Sequence, residues 1–346
     1  MTELEAVSGC GPSKAKKLRE AFITTAEILA VQNPAELQET TSLGEGTCLS
    51  LVRAARDLLS MDIFKTGLEV EKELESKPIL SSGIEKIDSQ MFGGIEIGNL
   101  VEFFGKATSG KTQWCYHYAV RSMLSLEEGG LEGRVMWLDT ENSFKPRTLR
   151  ANMKRWGLDP EVALMNISRA RIHDSTQLED VFLKVPMLAV EQNVKVVVID
   201  SILGMFRADF TGLKNLAPRQ QTINRLISKM RRLATAHEIT FLYTNQAISK
   251  TGFFSVPNAP AGGHIIAHGN DYRFETKTTA SKNKRKLHLK DNAGVPDFEQ
   301  EVSFGWGGFY NDERERGPIE KDLVEYLESL GFSTDPDAPE EVAAEA

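Results

Sequence analysis

Three features of the sequence predict an α/β fold with a mostly parallel sheet, preceded by a small all-α unit. From residue 79 onward, strand-length apolar runs alternate with helix-length amphipathic ones. The run Val194-Lys195-Val196-Val197-Val198-Ile199 is nearly all apolar, as a strand covered on both faces requires. A third run, Val101-Glu102-Phe103-Phe104, leads straight into Gly105-Lys106-Ala107-Thr108-Ser109-Gly110-Lys111-Thr112-Gln113. That stretch fits G-x-x-x-x-G-K-[ST], the pattern of a phosphate-binding loop at a strand-to-helix junction.

In chain order, residues 1–60 read as a helical unit. Val7-Ser8-Gly9-Cys10-Gly11-Pro12 has the shape of a hairpin between two helices, with glycines in the turn and Pro12 at a first helical position. A weaker copy, Leu43-Gly44-Glu45-Gly46-Thr47-Cys48, precedes a helix ending near Leu59. Paired units of this kind resemble helix-hairpin-helix modules, whose turn amides hold a nucleic-acid phosphate without reading bases. Lys14 and Lys16, with Lys17 and Arg19, suit DNA; a helical adaptor with solvated lysines is the alternative. Residues 61–77 are charged and short of core pattern, which predicts a linker, with Phe64 either seated in a pocket on another surface or packed against this chain's own core.

The ATPase-like core is expected over 78–312. Its strands are predicted at 99–104, 134–139, 194–200 and 239–244, with helices at 175–191 and 218–237 between them. Strands at 272–277, 285–290 and 301–305 follow one another without helices and predict an antiparallel extension. Over 313–346 a helix gives way to an acidic, Pro- and Ala-rich tail that reads as disordered.

Composition excludes several classes. No apolar run reaches the roughly 18 residues of a membrane span, and the N-terminus lacks a signal-peptide pattern, so a cytoplasmic protein with no membrane partner is expected. Cys10, Cys48 and Cys115 are far apart and odd in number, which suggests neither disulfides nor zinc. A net charge of −8 rules against a generally basic coat but leaves room for a local basic groove.

Ligands of parallel α/β sheets gather at the carboxyl ends of strands. In the phosphate loop, backbone amides of 105–113 would cradle a triphosphate, Lys111 would reach its β and γ phosphates, and the Thr112 hydroxyl would ligate Mg²⁺. Asp200 closes an apolar strand and is the second expected Mg²⁺ residue. Glu141, in Asp139-Thr140-Glu141-Asn142, is the expected base for a hydrolytic water, while Asp139 suits packing or supporting contacts. Gln246, in Thr244-Asn245-Gln246, places an amide where it can sense the γ phosphate. Two loops that follow combine cations and aromatics suited to single-stranded nucleic acid: Arg207, Lys214 and Arg219 in one, Phe253 and Phe254 in the other. His264 and His268 lack the glutamate or cysteines of a zinc site.

Taken in order, these motifs, together with Gly93-Gly94-Ile95-Glu96, Phe206-Arg207-Ala208, Arg219-Gln220-Gln221 and Gly262-Gly263-His264, resemble those of the archaeal RadA recombinases. The resemblance implies a RecA-like P-loop ATPase core that uses ATP and Mg²⁺ and forms a filament or ring of its own copies. It further implies filaments on single-stranded DNA that pair and exchange strands with a homologous duplex, with recombination mediators as further partners and, in an archaeon, association with the nucleoid. Phe64 would anchor the linker in a neighbouring protomer, Gly262 and Gly263 would belong to the second DNA loop, and Asp291 and Pro296 would cap ATP from the next protomer. Four positions depart from the family pattern. Gly67 replaces the alanine of Phe-x-x-Ala, Lys106 and Ala107 replace an acidic and an aromatic residue, and Thr148 stands where an arginine would stack on adenine, leaving Arg147 or Arg150 to substitute. A paralogue that assists loading of a recombinase without exchanging strands is the alternative these departures leave open.

Overall fold

The computed structural model describes residues 2–61, 64–209, 216–248, 259–260, 266 and 269–334. A 3₁₀ turn, Leu4–Ala6, is followed by α1 (Pro12–Glu20), α2 (Ala26–Ala30), α3 (Pro34–Thr41) and α4 (Glu45–Leu58). Prolines stand at the first position of α1 and α3, and the Thr25 and Asn33 side chains cap α2 and α3. The first hairpin is thus entered from a single 3₁₀ turn rather than from a full helix. Leu4, Leu18, Ile28, Leu29, Leu37, Leu51 and Val52 form this unit's own buried core. The unit rests on the large domain through the Arg232–Glu36 ion pair at 2.6 Å and through Lys184 over the Phe22 ring.

The expected linker contains a helix, α5 (Gly67–Glu75). Thr66 and Glu69 close a capping box in which each side chain satisfies the other's backbone N–H. None of its residues is buried, so local capping holds this helix where packing does not. A reading based on core pattern passes over such a segment.

In the large domain, β1 (Ile79–Leu80) pairs with β2 (Ile95–Glu96) across α6 (Glu85–Asp88). The main sheet is built from β3 (Leu100–Gly105), β4 (Arg134–Asp139), β5 (Ile167–Arg171), β6 (Val194–Asp200) and β7 (Thr240–Ile248), with the short β8 (Ala259–Pro260) paired to β7. It continues through β9 (Tyr272–Thr278), β10 (Lys284–Asp291), β11 (Phe298–Gly305) and β12 (Gly308–Tyr310). Strand order is β12-β11-β10-β9-β3-β7-β6-β4-β5. From β9 to β5 neighbouring strands run parallel; from β9 to β12 they run antiparallel. The parallel half takes the helical crossovers α7 (Lys111–Arg121), α8 (Pro146–Arg155), α9 (Pro160–Met165), α10 (Ser175–Glu191), α11 (Gly204–Asp209) and α12 (Leu216–His237), and α13 (Glu313–Ser329) closes the fold.

Every residue of β3 is buried, and Val196 to Ile199 of β6 are fully so. Each such Val or Ile side chain contributes about 1.5–3 kcal/mol. The helix behind the phosphate loop is fixed by aromatic packing: Trp114 of α7 stacks on Phe309 of β12 with ring centroids 3.7 Å apart. Strand β7 runs four residues past its expected end, so Gln246 lies within the ladder rather than at a loose tip. Among the described residues, no helix is long and apolar enough to cross a membrane.

Candidate functional site

The phosphate loop needs glycine at both ends for different reasons. A Cβ on Gly105 would lie 2.4 Å from the Thr276 carbonyl oxygen and 2.7 Å from Ser109 Oγ, so no side chain fits. Gly110 holds φ +103°, a left-handed conformation that turns the chain into α7. With no side chain to cap α7, Gly110 leaves the first-turn amides of an eleven-residue helix to face an anion. Ser109 is pinned beneath the loop by its hydroxyl contact with Thr276 at 2.6 Å. Lys106, Ala107 and Thr108 are exposed, and Gln113 is half-buried in the first turn of α7. Lys111 Nζ donates to the carbonyls of Lys106 at 2.8 Å and Gly105 at 3.3 Å. Burial pushes its ammonium pKa down, while the negative charges of Asp200 and Glu141 pull the other way.

Asp200 gathers three hydroxyls from separate elements. Thr112 donates to Oδ2 at 2.8 Å, Ser143 to the same oxygen at 2.5 Å, and Thr244 to Oδ1. A hydroxyl from the first turn of α7 and a carboxylate from the end of β6 thus share one point, a hard-oxygen donor pair that fits Mg²⁺. Tyr116 secures the Ser143 turn: its hydroxyl donates to Ser143 O and accepts from Lys145 N, both at 2.6 Å.

Glu141 is exposed at the carboxyl end of β4, where its Oε1 accepts the Ser201 hydroxyl. Asp139, fully buried, accepts Arg169 Nη2 at 2.6 Å, Arg171 Nη1 at 3.4 Å and Ser143 N at 3.0 Å. Burial alone would raise its pKa, but the Arg169 guanidinium and the Ser143 amide overcome this and hold the carboxyl below its ordinary range. Gln246 stands in register with Gly105 across the β3–β7 ladder, which puts this residue beside the start of the phosphate loop. The fold therefore brings together Lys111, Thr112, Glu141, Asp200 and Gln246, and adds Ser143, Ser201 and Thr244, which sequence reasoning left without a role. Ser201 directly follows the strand-end Asp200 and Ser143 follows Asp139 by four residues, the one signal that pointed to them.

The remaining candidates are dispersed. Lys14 Nζ donates to Gly9 O at 2.7 Å, closing its own hairpin, and Arg19 is held by Glu5; Lys16 stays exposed beside Glu20. Arg219 lies in the first turn of α12 and Arg207 in α11, while Lys214, Phe253, Phe254, Gly262, Gly263, His264 and His268 fall outside the described residues. Asp291 ends β10 and Pro296 is exposed in the turn after it. Phe64 is 93% exposed, and nothing lies within 4 Å of a Cβ built on Gly67. Of the arginines near Thr148, Arg147 lies over the Phe332 ring at 4.8 Å and Arg150 pairs with Glu161 at 2.8 Å. Among the described residues, no cluster of three or more His, Cys, Asp or Glu side chains could hold a metal by itself. A cation at Asp200 would therefore need hydroxyl, phosphate or water oxygens as well.

The Rad51 family model matches residues 76–311, and a model described as a SAM-like helix-hairpin-helix tandem matches residues 1–57. A protein named DNA repair and recombination protein RadA from Metallosphaera sedula is 34% identical over 85% of this chain and 90% of its own length. One of the same name from Aeropyrum pernix is 34% identical over 84% of this chain and 91% of its own.

Proposed function

This chain belongs to the Rad51 family, and from that premise we propose that it is an ATP-dependent DNA recombinase that assembles on single-stranded DNA and catalyses homologous pairing and strand exchange. The observation that carries this reading is the convergence of Lys111, Thr112, Asp200, Glu141 and Gln246 at one end of the parallel sheet. A phosphate site alone would suit many nucleotide-binding proteins; a glutamine within β7, in register with the start of the phosphate loop, suits one in which the segment after that strand responds to the nucleotide.

In this reading the α7 amides and Lys111 bind the phosphates, and burial of the ammonium strengthens its pairing with them. Mg²⁺ is held by Thr112 and Asp200 and, when bound, supplies electrostatic stabilisation of charge developing on the phosphoryl oxygens. Glu141, steadied by Ser201, accepts the proton of the attacking water. Gln246 donates from the ladder to the γ-phosphate end, so that hydrolysis is felt in the segment after β7. Asp139 keeps the Ser143 turn and Arg169 in place and takes no proton. Asp291 and Pro296 complete the site from the next protomer, and Phe64, with Gly67 beginning the helix behind it, is the assembly anchor. Lys14, Lys16, Arg207, Lys214, Arg219, Phe253, Phe254, Gly262 and Gly263 are the proposed DNA contacts.

The test is joint-molecule formation from a labelled single strand and a homologous supercoiled duplex, with ATP and Mg²⁺. A homology-dependent product that vanishes in Lys111→Ala supports the recombinase. DNA-stimulated ATP hydrolysis without product would place the chain among accessory members of the family.

A further inference from the structure

Resting on the reading in which the turn carrying Asp291 and Pro296 reaches the next protomer, we propose that Phe92 is a second assembly contact, packed against the next copy of this chain beside that turn. Among the described residues, Phe64 alone is a more exposed large apolar side chain; Phe92 is 79% exposed. Its backbone is unusual as well. After α6, Gly93 N donates to Asp88 O at 2.9 Å, and Phe92 holds φ +51°, the left-handed position that closes such a turn and that glycine ordinarily fills. Gly93 and Gly94 continue at φ +107° and +144°, and a Cβ on Gly94 would lie 2.4 Å from Leu80 O. The glycines fix the course of the turn. Phe92 is therefore strained in a conformation its neighbours set, and it leaves most of its ring in water, two unfavourable features that packing within the protomer does not offset.

The place of Phe92 in the fold decides what covers it. It lines a groove of about 570 Å³ with the nearly buried Met91, Tyr272 and Val295 and with Asn292, Ala293 and Gly294 of the turn between β10 and β11. That turn is already built: Asn292 Oδ1 accepts Gly294 N at 2.7 Å and Val295 N at 2.8 Å, while its Nδ2 donates to Asp271 O at 2.8 Å. A protomer seated on the turn meets Phe92 in the same contact. The groove lies where β3 and β9 begin, and the phosphate loop lies where β3 ends, so one copy presents the two faces at opposite ends of the sheet, as head-to-tail assembly requires. Charge favours the same partner. Among the described residues no lysine or arginine lines the groove, and of its two carboxylates Asp271 is held by Arg231 while Glu96 is exposed. A turn that completes the next protomer's nucleotide site comes up against the start of α8, where this chain exposes Lys145 and Arg147.

The experiment follows assembly of the full-length protein in ATP and Mg²⁺ by light scattering over a protein titration, and thermal melting of the dilute protomer by circular dichroism. Asn and Gly both accept the left-handed backbone, so Phe92→Asn and Phe92→Gly remove the ring and its strain while leaving the turn in place. Both are expected to raise the midpoint concentration of assembly about tenfold or more, as loss of an aromatic buried in a contact implies, while the dilute protomer melts at the same temperature or higher. A ring that served only its own fold would lower the melting temperature instead. Weaker assembly accompanied by a lower melting temperature therefore overturns the proposal. If the unmodified protein does not assemble, the functional reading fails and this inference with it. Assembly of the unmodified protein matched by either variant sinks the inference alone, and leaves Phe92 to a different protein or to none.

Discussion

Asp200 and Glu102 are both nearly sealed from solvent in the same sheet, 2% and 0% exposed, yet they are partnered differently. Asp200, at the carboxyl end of β6, takes hydrogen bonds from the hydroxyls of Thr112, Ser143 and Thr244. Glu102, in the middle of β3, takes them from the Arg273 guanidinium and two amides. Hydroxyls are neutral and rotate, so the groups bonded to Asp200 solvate its charge without cancelling it, and the Lys111 ammonium acts on it only through space. A guanidinium cancels the charge it binds and is fixed in direction. Burial therefore does not separate a ligand-binding carboxylate from a structural one; the charge of its partners does. Asp139 sides with Glu102, since Arg169 and Arg171 hold it.

The largest effect that could break this comparison is expected outside the pair. Lys111→Ala removes the cation beside Asp200, and nucleotide titration should show affinity falling by roughly 100-fold or more, as loss of a buried charge-assisted contact implies. Unchanged affinity would mean that the phosphates bind elsewhere. Glu141→Gln comes next: ATP should bind as before while hydrolysis drops on the order of 10²–10⁴-fold, because an amide cannot take the proton. Persistent phosphate release would move the base to another residue.

The comparison itself is sharpened by two matched substitutions. Asp200→Asn keeps the shape and should suppress Mg²⁺-dependent turnover on the order of 10²-fold while the melting temperature stays near that of the unmodified protein. Arg273→Met removes the guanidinium bonded to the buried Glu102 carboxylate and should cost about 3 kcal/mol of stability by denaturant unfolding. If both substitutions act mainly on stability, or both mainly on turnover, the distinction drawn from their partners is wrong.

The smallest effect comes from pH. Burial lowers the pKa of His117 to about 3 and of His237 to about 4, against an unfolded value near 6.5. His117 Nε2 donates to Ser82 O at 2.7 Å while Nδ1 accepts Phe309 N at 3.4 Å, an arrangement that needs the neutral ring. The unfolded chain binds protons below pH 6.5 that the folded chain refuses, so stability is complete above 6.5 and falls as pH drops toward the folded values. The loss is about 1.4 kcal/mol per pH unit for each histidine. Melting temperatures recorded from pH 7.5 to 5.5 should decline only below about 6.5. His117→Asn should flatten part of that decline, and an unaltered profile would remove His117 from this role.

The helix in the linker and the phosphate loop show how unevenly the sequence could be read. Gly105 to Gln113 is one continuous stretch whose spacing specifies its chemistry, so it was legible at once. The α5 helix was also written locally, as Thr66 and Glu69 at capping-box spacing, but it buries nothing, and a search for core pattern has no purchase on it. The buried strands β3 and β6 were legible because apolar continuity is itself the requirement for a strand covered on both faces.

By itself, then, the sequence determined the α/β class, the antiparallel extension, the phosphate loop and the strand ends at which chemistry gathers, because each depends on residues that are neighbours in the chain. Only the tertiary structure decided the partners. Thr112, Ser143 and Thr244 reach Asp200 from separate elements because the parallel order sets β7, β6 and β4 side by side. The same crossovers bring Asn245, Asn270 and Arg273 onto Glu102 and put Gln246 in register with Gly105. The physical reason is that a hydrogen bond depends on distance and direction in space, and those are fixed by the order in which strands join the sheet.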